Sequence, residues 1–165
     1  MPLQRSNLQI RKLEERDLSA LLLLFRSVAD ELRWLGTEPG FDEERYLTGW
    51  RKSIAGEWGV NFVALVDGML AGSLGVHERD DRWQIGMLVD ATYRNRGVGM
   101  ALLETAFAWA RERLITELYL YVFPHNEAAR ALYAKTGFVE IERFPDDVTR
   151  KTGEVWDTIL MRKQL

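Results

Sequence analysis

The chain has 165 residues, 47% of them apolar, two histidines, no cysteine and a net charge of −3. That length suits one domain, residues 1–165, around one sizeable core. The composition excludes disulfides, thiol nucleophiles and thiolate zinc sites, leaves too few imidazoles for a metal centre, and gives no electrostatic case for nucleic acid or an anionic membrane.

Along the chain, Met1 to Ser6 show no apolar signal-peptide stretch. Residues 8–13 alternate as a half-buried strand does. Asp17 is the expected N-cap of a helix over 18–31, whose apolar run at 18–25 is too short to span a bilayer. A cytoplasmic protein is therefore expected. Residues 35–40 form a loop, and Asp42 caps a second helix to about residue 55. Residues 61–66 and 69–76, joined by Asp67-Gly68, read as a hairpin with a type I′ turn. Asp80-Asp81 marks another polar turn, followed by a strand over 83–89. A helix over 100–114 places Leu103, Phe107, Ala110 and Leu114 on one apolar stripe. A strand over 118–123, a helix over 126–136 ended by Gly137, and strands over 138–142 and 155–161 around a polar loop complete the chain. There are no internal repeats.

The segment between strand 83–89 and the helix at 100 carries the most chemistry. It reads Arg94-Asn95-Arg96-Gly97-Val98-Gly99-Met100. Glycines let backbone approach a ligand closely. Free amides at a helix start bind phosphate oxygens, and two arginines add positive charge. No G-x-x-x-x-G-K-[ST] run exists, so this is no nucleoside triphosphate loop. A dinucleotide fingerprint would need a third glycine where Leu102 stands. What remains is a cradle for a pyrophosphate.

A second block follows: a strand, then Asn126-Glu-Ala-Ala129-Arg-Ala-Leu-Tyr133, then Gly137-Phe138. Asn126 and Tyr133 lie two helical turns apart on one face, with the small Ala129 between them. Arg94-x-x-Gly97-x-Gly99 and this second block together resemble the two hallmark motifs of the GNAT superfamily of N-acetyltransferases. The likeness covers residues 61–161. It implies an α+β fold with a mixed, mostly antiparallel sheet whose middle strands splay, flanked by helices. It implies acetyl-CoA as co-substrate and no metal. The acetyl group would pass directly, through a tetrahedral intermediate, to the amine of a small-molecule or peptide acceptor. A homodimer is compatible with the likeness. The alternative is a catalytically silent acyl-CoA-binding sensor of the same fold.

By that resemblance, the amides of Arg96, Gly97, Val98, Gly99 and Met100 hold the pyrophosphate, with Arg94 and Asn95 in the same loop. One of the two arginines is expected to touch phosphate and the other to be largely exposed to solvent, with capping of the turn as the alternative role for Arg94. The backbone of Leu88 and Val89 pairs with the pantetheine arm and polarises the thioester. Asn126 fixes the strand end or the pantetheine amide. Tyr133 is the general acid toward the leaving sulfur, since thiols near pKa ~8.5 and phenols near ~10 are close.

The base is the departure from the family pattern. Where relatives carry a glutamate five residues before Asn126, this chain has Tyr121, and the strand before Arg94 offers Gln84 but no carboxylate. Deprotonation through water is expected, with Glu31 and Glu78 as distant carboxylates. His77 is a further candidate base, although a lone strand histidine is usually structural, and His125 reads as a turn residue. Trp34, Tyr46, Trp50 and Trp58 are mostly packing, with one or two lining the acceptor pocket that the resemblance places under the first two helices.

Overall fold

The strand and helix periodicities resolve into one seven-stranded sheet with two helices on each face. The computed structural model describes residues 7–165, so Met1 to Ser6 lie outside the described residues. In chain order the elements are β1 (Leu8–Lys12), α1 (Leu18–Asp30), α2 (Glu43–Ile54), β2 (Val60–Val66), β3 (Met69–Arg79) and β4 (Arg82–Val89). Then come α3 (Val98–Glu112), β5 (Glu117–Val122), α4 (Glu127–Lys135), β6 (Val139–Thr149) and β7 (Val155–Gln164).

The strand order is β1-β2-β3-β4-β5-β7-β6. Every neighbouring pair is antiparallel except β4 and β5. Those two run parallel and pair only at Gln84–Tyr119, so they diverge beyond that point. This is the expected splayed middle pair.

Two tight turns set the register of the first four strands. Asp67 and Gly68 both take positive φ (49° and 79°), as a type I′ turn requires. Asp80 and Asp81 do the same at 53° and 59°. Neither aspartate position carries a glycine, but short polar side chains tolerate the left-handed region. On one face, α3 and α4 cover Val60, Phe62, Leu74, Val76 and Ile85. On the other, α1 and α2 cover Val63 and Leu88 through Leu21, Leu24 and Trp50. Alternating side chains put Asn61 and Val63 of β2 and Ser73, Gly75 and His77 of β3 on the α1/α2 face.

Four expectations change. Asp17 does not cap α1. Its carboxylate takes two hydrogen bonds from Arg11, at 2.7 and 2.9 Å, and one from the Glu14 amide at 2.8 Å. Helix α3 starts two residues earlier than expected, and Leu114 is not on its buried stripe. Leu114 lies past the helix end with φ 59° and is exposed, while the Ile115 amide closes the end on Ala110 O at 3.0 Å. β7 runs three residues beyond 161, to Gln164. β6 runs through Pro145 instead of ending at 142, because it is the sheet's edge strand and a proline without an N–H breaks no pairing there.

Candidate active site

The glycine segment folds as a helix start with free amides. Asp90 Oδ1 accepts from the Thr92 amide at 2.8 Å and turns the chain out of β4. Asn95 and Gly97 then take φ 60° and 84°. The first bond into α3 runs from Ala101 N to Gly97 O at 3.1 Å, which leaves the Val98, Gly99 and Met100 amides without a helical partner. No acidic residue occupies the first turn. Gly97 is required by its positive φ. Gly99 is required by packing: a Cβ there would lie 3.0 Å from Leu132 Cδ2 of α4 and 3.3 Å from Met87 Cε of β4. The absence of a side chain at Gly99 thus lets α3 sit close against α4 and β4.

The arginines are not equivalent. Arg94 turns toward α1, where Nη1 and Nη2 meet Glu31 at 2.8 and 2.7 Å and Nε donates to Val89 O at 3.0 Å. Arg96 is exposed, with its guanidinium 5.9 Å from the Tyr93 ring centre.

The β4 register separates Leu88 from Val89. The Asp90 amide donates to Ala71 O at 2.8 Å, and Leu88 pairs with Ser73. Backbone groups alternate along an antiparallel ladder, so the Leu88 amide is used by β3 and those of Met87 and Val89 face the β4–β5 opening. The sequence expectation for Leu88 is corrected on that point, and Met87 is a residue it missed.

Asn126 is the N-cap of α4; its Oδ1 accepts from the Ala129 amide at 3.3 Å. His125 Nε2 donates to Arg33 O at 2.7 Å, tying the strand end to the loop after α1. Tyr133 packs edge-on to Phe138, 5.7 Å between ring centres, and is buried. Burial pushes its phenol up to about 12. A phenol that weak stays protonated and can donate a hydrogen bond to a thiolate, but a thiolate of pKa ~8.5 takes little of its proton.

A cavity of about 500 Å³ opens on the α1/α2 face of β2, β3 and β4. Its floor is one cross-strand row, Asn61–Gly75–Gly86. A Cβ on Gly86 would meet nothing within 4 Å. Its walls include Tyr46, Trp50 and Trp58, with Arg45 and Arg79 also lining it and, among the described residues, no carboxylate. The Leu35-Gly36-Thr37 loop lines another side and is held by Arg150, which donates to Leu35 O at 2.8 Å and stacks on Trp156 at 4.0 Å. Met87 lines this cavity and also faces Gly99, so the cavity and the β4–β5 opening meet at Met87.

Neither distant carboxylate reaches the cavity as a free base. Glu31 is held by Arg94 and by the Trp34 indole at 2.6 Å, and the Arg94 hydrogen bonds draw its carboxyl below the usual range. Glu78 alternates onto the face opposite His77 and is exposed. His77 does line the cavity, stacked on Trp58 at 4.2 Å.

The sequence matches the Acetyltransferase (GNAT) family over residues 25–138. It is 32% identical over 124 residues to the L-amino acid N-acetyltransferase AaaT of Escherichia coli, covering 69% of this chain and 74% of that protein. An acetyltransferase of the GNAT family from Streptococcus pneumoniae superposes with a TM-score of 0.85 at 26% identity, covering 96% of this chain and all of the other. A phosphinothricin acetyltransferase from Sinorhizobium meliloti, solved in complex with acetyl-CoA, shares the fold with a TM-score of 0.85 at 16% identity, covering 96% and 88%. The seven-stranded sheet with its splayed middle pair is the fold of these acetyltransferase structures. The chain belongs to the GNAT family of acetyltransferases.

Proposed function

We propose that this chain acetylates the amine of a small acceptor that also carries an acidic group, such as an amino acid. The observation that carries this reading is the cavity beside Met87: about 500 Å³, floored by Asn61 and two glycines, lined by Arg45 and Arg79 and, among the described residues, by no carboxylate. A cavity of that size suits a small molecule. Cationic side chains favour an anion and disfavour a polyamine. The amino-acid acceptor in the name of the E. coli relative agrees with this chemistry.

The residues present fit acetyl-CoA. In this reading the α3 amides of Val98, Gly99 and Met100 hold phosphate, and Arg96 adds charge beside Asn95 and Gly97. Acetyl-CoA supplies the activated acetyl group. The Met87 and Val89 amides, which the sheet leaves free on the β4–β5 side, donate to the pantetheine arm and polarise the thioester carbonyl. Arg94 holds the loop in place through Glu31 and Val89. Tyr133, protonated at all working pH values, donates a hydrogen bond to the departing sulfur. Leu88 contributes its side chain to the acceptor cavity, and Asn126 fixes the start of α4.

The test is thiol release with purified protein, acetyl-CoA and a panel of amines. Acidic and zwitterionic amines should be acetylated, and spermidine and simple alkylamines should be poor acceptors. Preference for polyamines would overturn the reading.

A further inference from the structure

The cavity holds a histidine whose two ring nitrogens have separate tasks. His77 Nε2 lies 2.9 Å from Asn61 Oδ1. A carbonyl oxygen only accepts, so Nε2 carries the hydrogen and Nδ1 has the free lone pair. No hydrogen bond to Nδ1 is made among the described residues. The ring is fixed on three sides. Trp58 stacks on it at 4.2 Å, with an interplanar angle of 26°. Gly59 lies along one edge, where a Cβ would meet Val76 O at 2.0 Å and His77 Cδ2 at 3.0 Å. Gly75 leaves room on another, where a Cβ would lie 2.6 Å from Cε1 and 3.1 Å from Nδ1. Two glycines, one indole and one amide therefore hold a neutral imidazole at the floor of the acceptor cavity.

We propose that His77 Nδ1 receives the hydrogen of the acceptor amine as that amine attacks. The proposal rests on the acetyltransferase reading above and names the residue that replaces the missing carboxylate. In the transfer a C–N bond forms to the acetyl carbon and the C–S bond breaks. The amine loses one proton, taken up at Nδ1 and released to solvent, and the leaving sulfur departs as a thiolate hydrogen-bonded by Tyr133 and takes one proton from solvent. Burial first, and then the nearby positive Arg79, push the imidazole down to about 4. With Arg45, Arg79 and Tyr46 facing the cavity and no carboxylate among its lining, the ring stays neutral across the working range. It cannot strip a proton from a free ammonium of pKa ~10. It can hold a neutral amine by its N–H and take the proton once bond formation makes that nitrogen cationic.

Two substitutions separate this role from a packing role. His77→Asn carries a short amide whose oxygen sits near the Nδ1 position and gives up the bond to Asn61. His77→Gln reaches the Nε2 position, keeps a partner for Asn61 and places nothing at Nδ1. We expect His77→Gln to lower kcat at least about 10²-fold, His77→Asn to lower it several-fold less, and the KM for acetyl-CoA to be unchanged in both. The reverse order, with glutamine the better replacement, would overturn the proposal. A second readout needs no turnover: ¹⁵N NMR of the free protein should show the Nε2–H tautomer from pH 5 to 9. Adding an acetylated amine acceptor should then move the Nδ1 resonance. An acceptor that binds by calorimetry without moving it contradicts the assignment. If either histidine variant fails to fold, Asn61→Ala serves, and should mix the tautomers and lower kcat about tenfold; unchanged kcat would count against Nδ1. A wild-type protein that acetylates no amine would instead remove the functional reading on which this rests.

Discussion

Arg94 grips Glu31 with both terminal nitrogens, at 2.8 and 2.7 Å, while its Nε holds the Val89 carbonyl at 3.0 Å. One side chain thereby joins the end of α1, the end of β4 and the loop that opens α3. Arg94→Ala should loosen that loop and weaken CoA binding about tenfold, ~1.4 kcal/mol, without changing the salt dependence of binding. Arg96→Ala should flatten the salt dependence, because an exposed charge on a phosphate is screened. Calorimetry at two ionic strengths separates the two. Equal salt slopes for both variants would contradict the division of labour.

The same pair gives a pH signature. Arg94 lowers the Glu31 carboxyl, so the contact stabilises the fold above the unfolded value, near ~4.3, and is lost as pH falls through the folded value. The melting-temperature difference between wild type and Glu31→Gln should be full at pH 7 and vanish in acid. A difference that grows toward low pH would show that the carboxylate is not what holds Arg94.

The two glycines of the loop should fail in different ways. Gly97→Ala forces a side chain into φ 84° and should cost about 1 kcal/mol of stability. Gly99→Val drives into Leu132 and Met87 and should weaken CoA binding at least tenfold. Adding Leu132→Ala should recover part of that loss. No recovery in the double variant would mean that Gly99 serves phosphate approach alone.

Tyr133→Phe keeps the ring and removes the donor. A protonated phenol with a pKa near 12 acts by hydrogen bonding, so kcat should fall about 10-fold to 10²-fold, with no basic limb of the pH profile displaced below pH 10. Full turnover in the phenylalanine variant would reduce Tyr133 to packing against Phe138.

Much of this site can be read from the sequence. The Arg94 to Gly99 spacing marks the α3 start, and Asn126 and Tyr133 mark α4. Counting outward from Asp80-Asp81 pairs Gly75 with Gly86, so two of the three residues of the cavity floor are legible too. Asn61 is not. The β2–β3 register shifts at a bulge between Ala64 and Leu65, and that one-residue slip brings Asn61 opposite Gly75. The partners that fix His77 and Arg94 are hidden for a related reason. Each depends on partners from other elements, Asn61 and Trp58 for one, Glu31 for the other, and local patterning carries no information about such long-range contacts. Asp17 shows the converse: its N-cap pattern is local and correct in type, but Arg11 across the β1–α1 turn outcompetes the helix amides.

Gly86 offers a substitution that should not disturb the fold, since a Cβ there meets nothing within 4 Å. Gly86→Leu should fill the acceptor cavity, raise the acceptor KM at least tenfold and leave the melting temperature and CoA affinity unchanged. A variant that handles all acceptors as wild type does would place the acceptor elsewhere.

Matched acceptors measure most directly what the cavity selects. An α-amino acid and its carboxamide present amines on the same frame and differ in the charge that Arg45 and Arg79 would read. Wild-type kcat/KM, measured with each acceptor's amine deprotonated to the same extent, should favour the acid at least tenfold, and the Arg45→Ala/Arg79→Ala variant should lose that preference while keeping its CoA affinity. Equal use of the two acceptors by wild type, or a preference for the carboxamide, would contradict an acceptor cavity built for an acid-bearing amine.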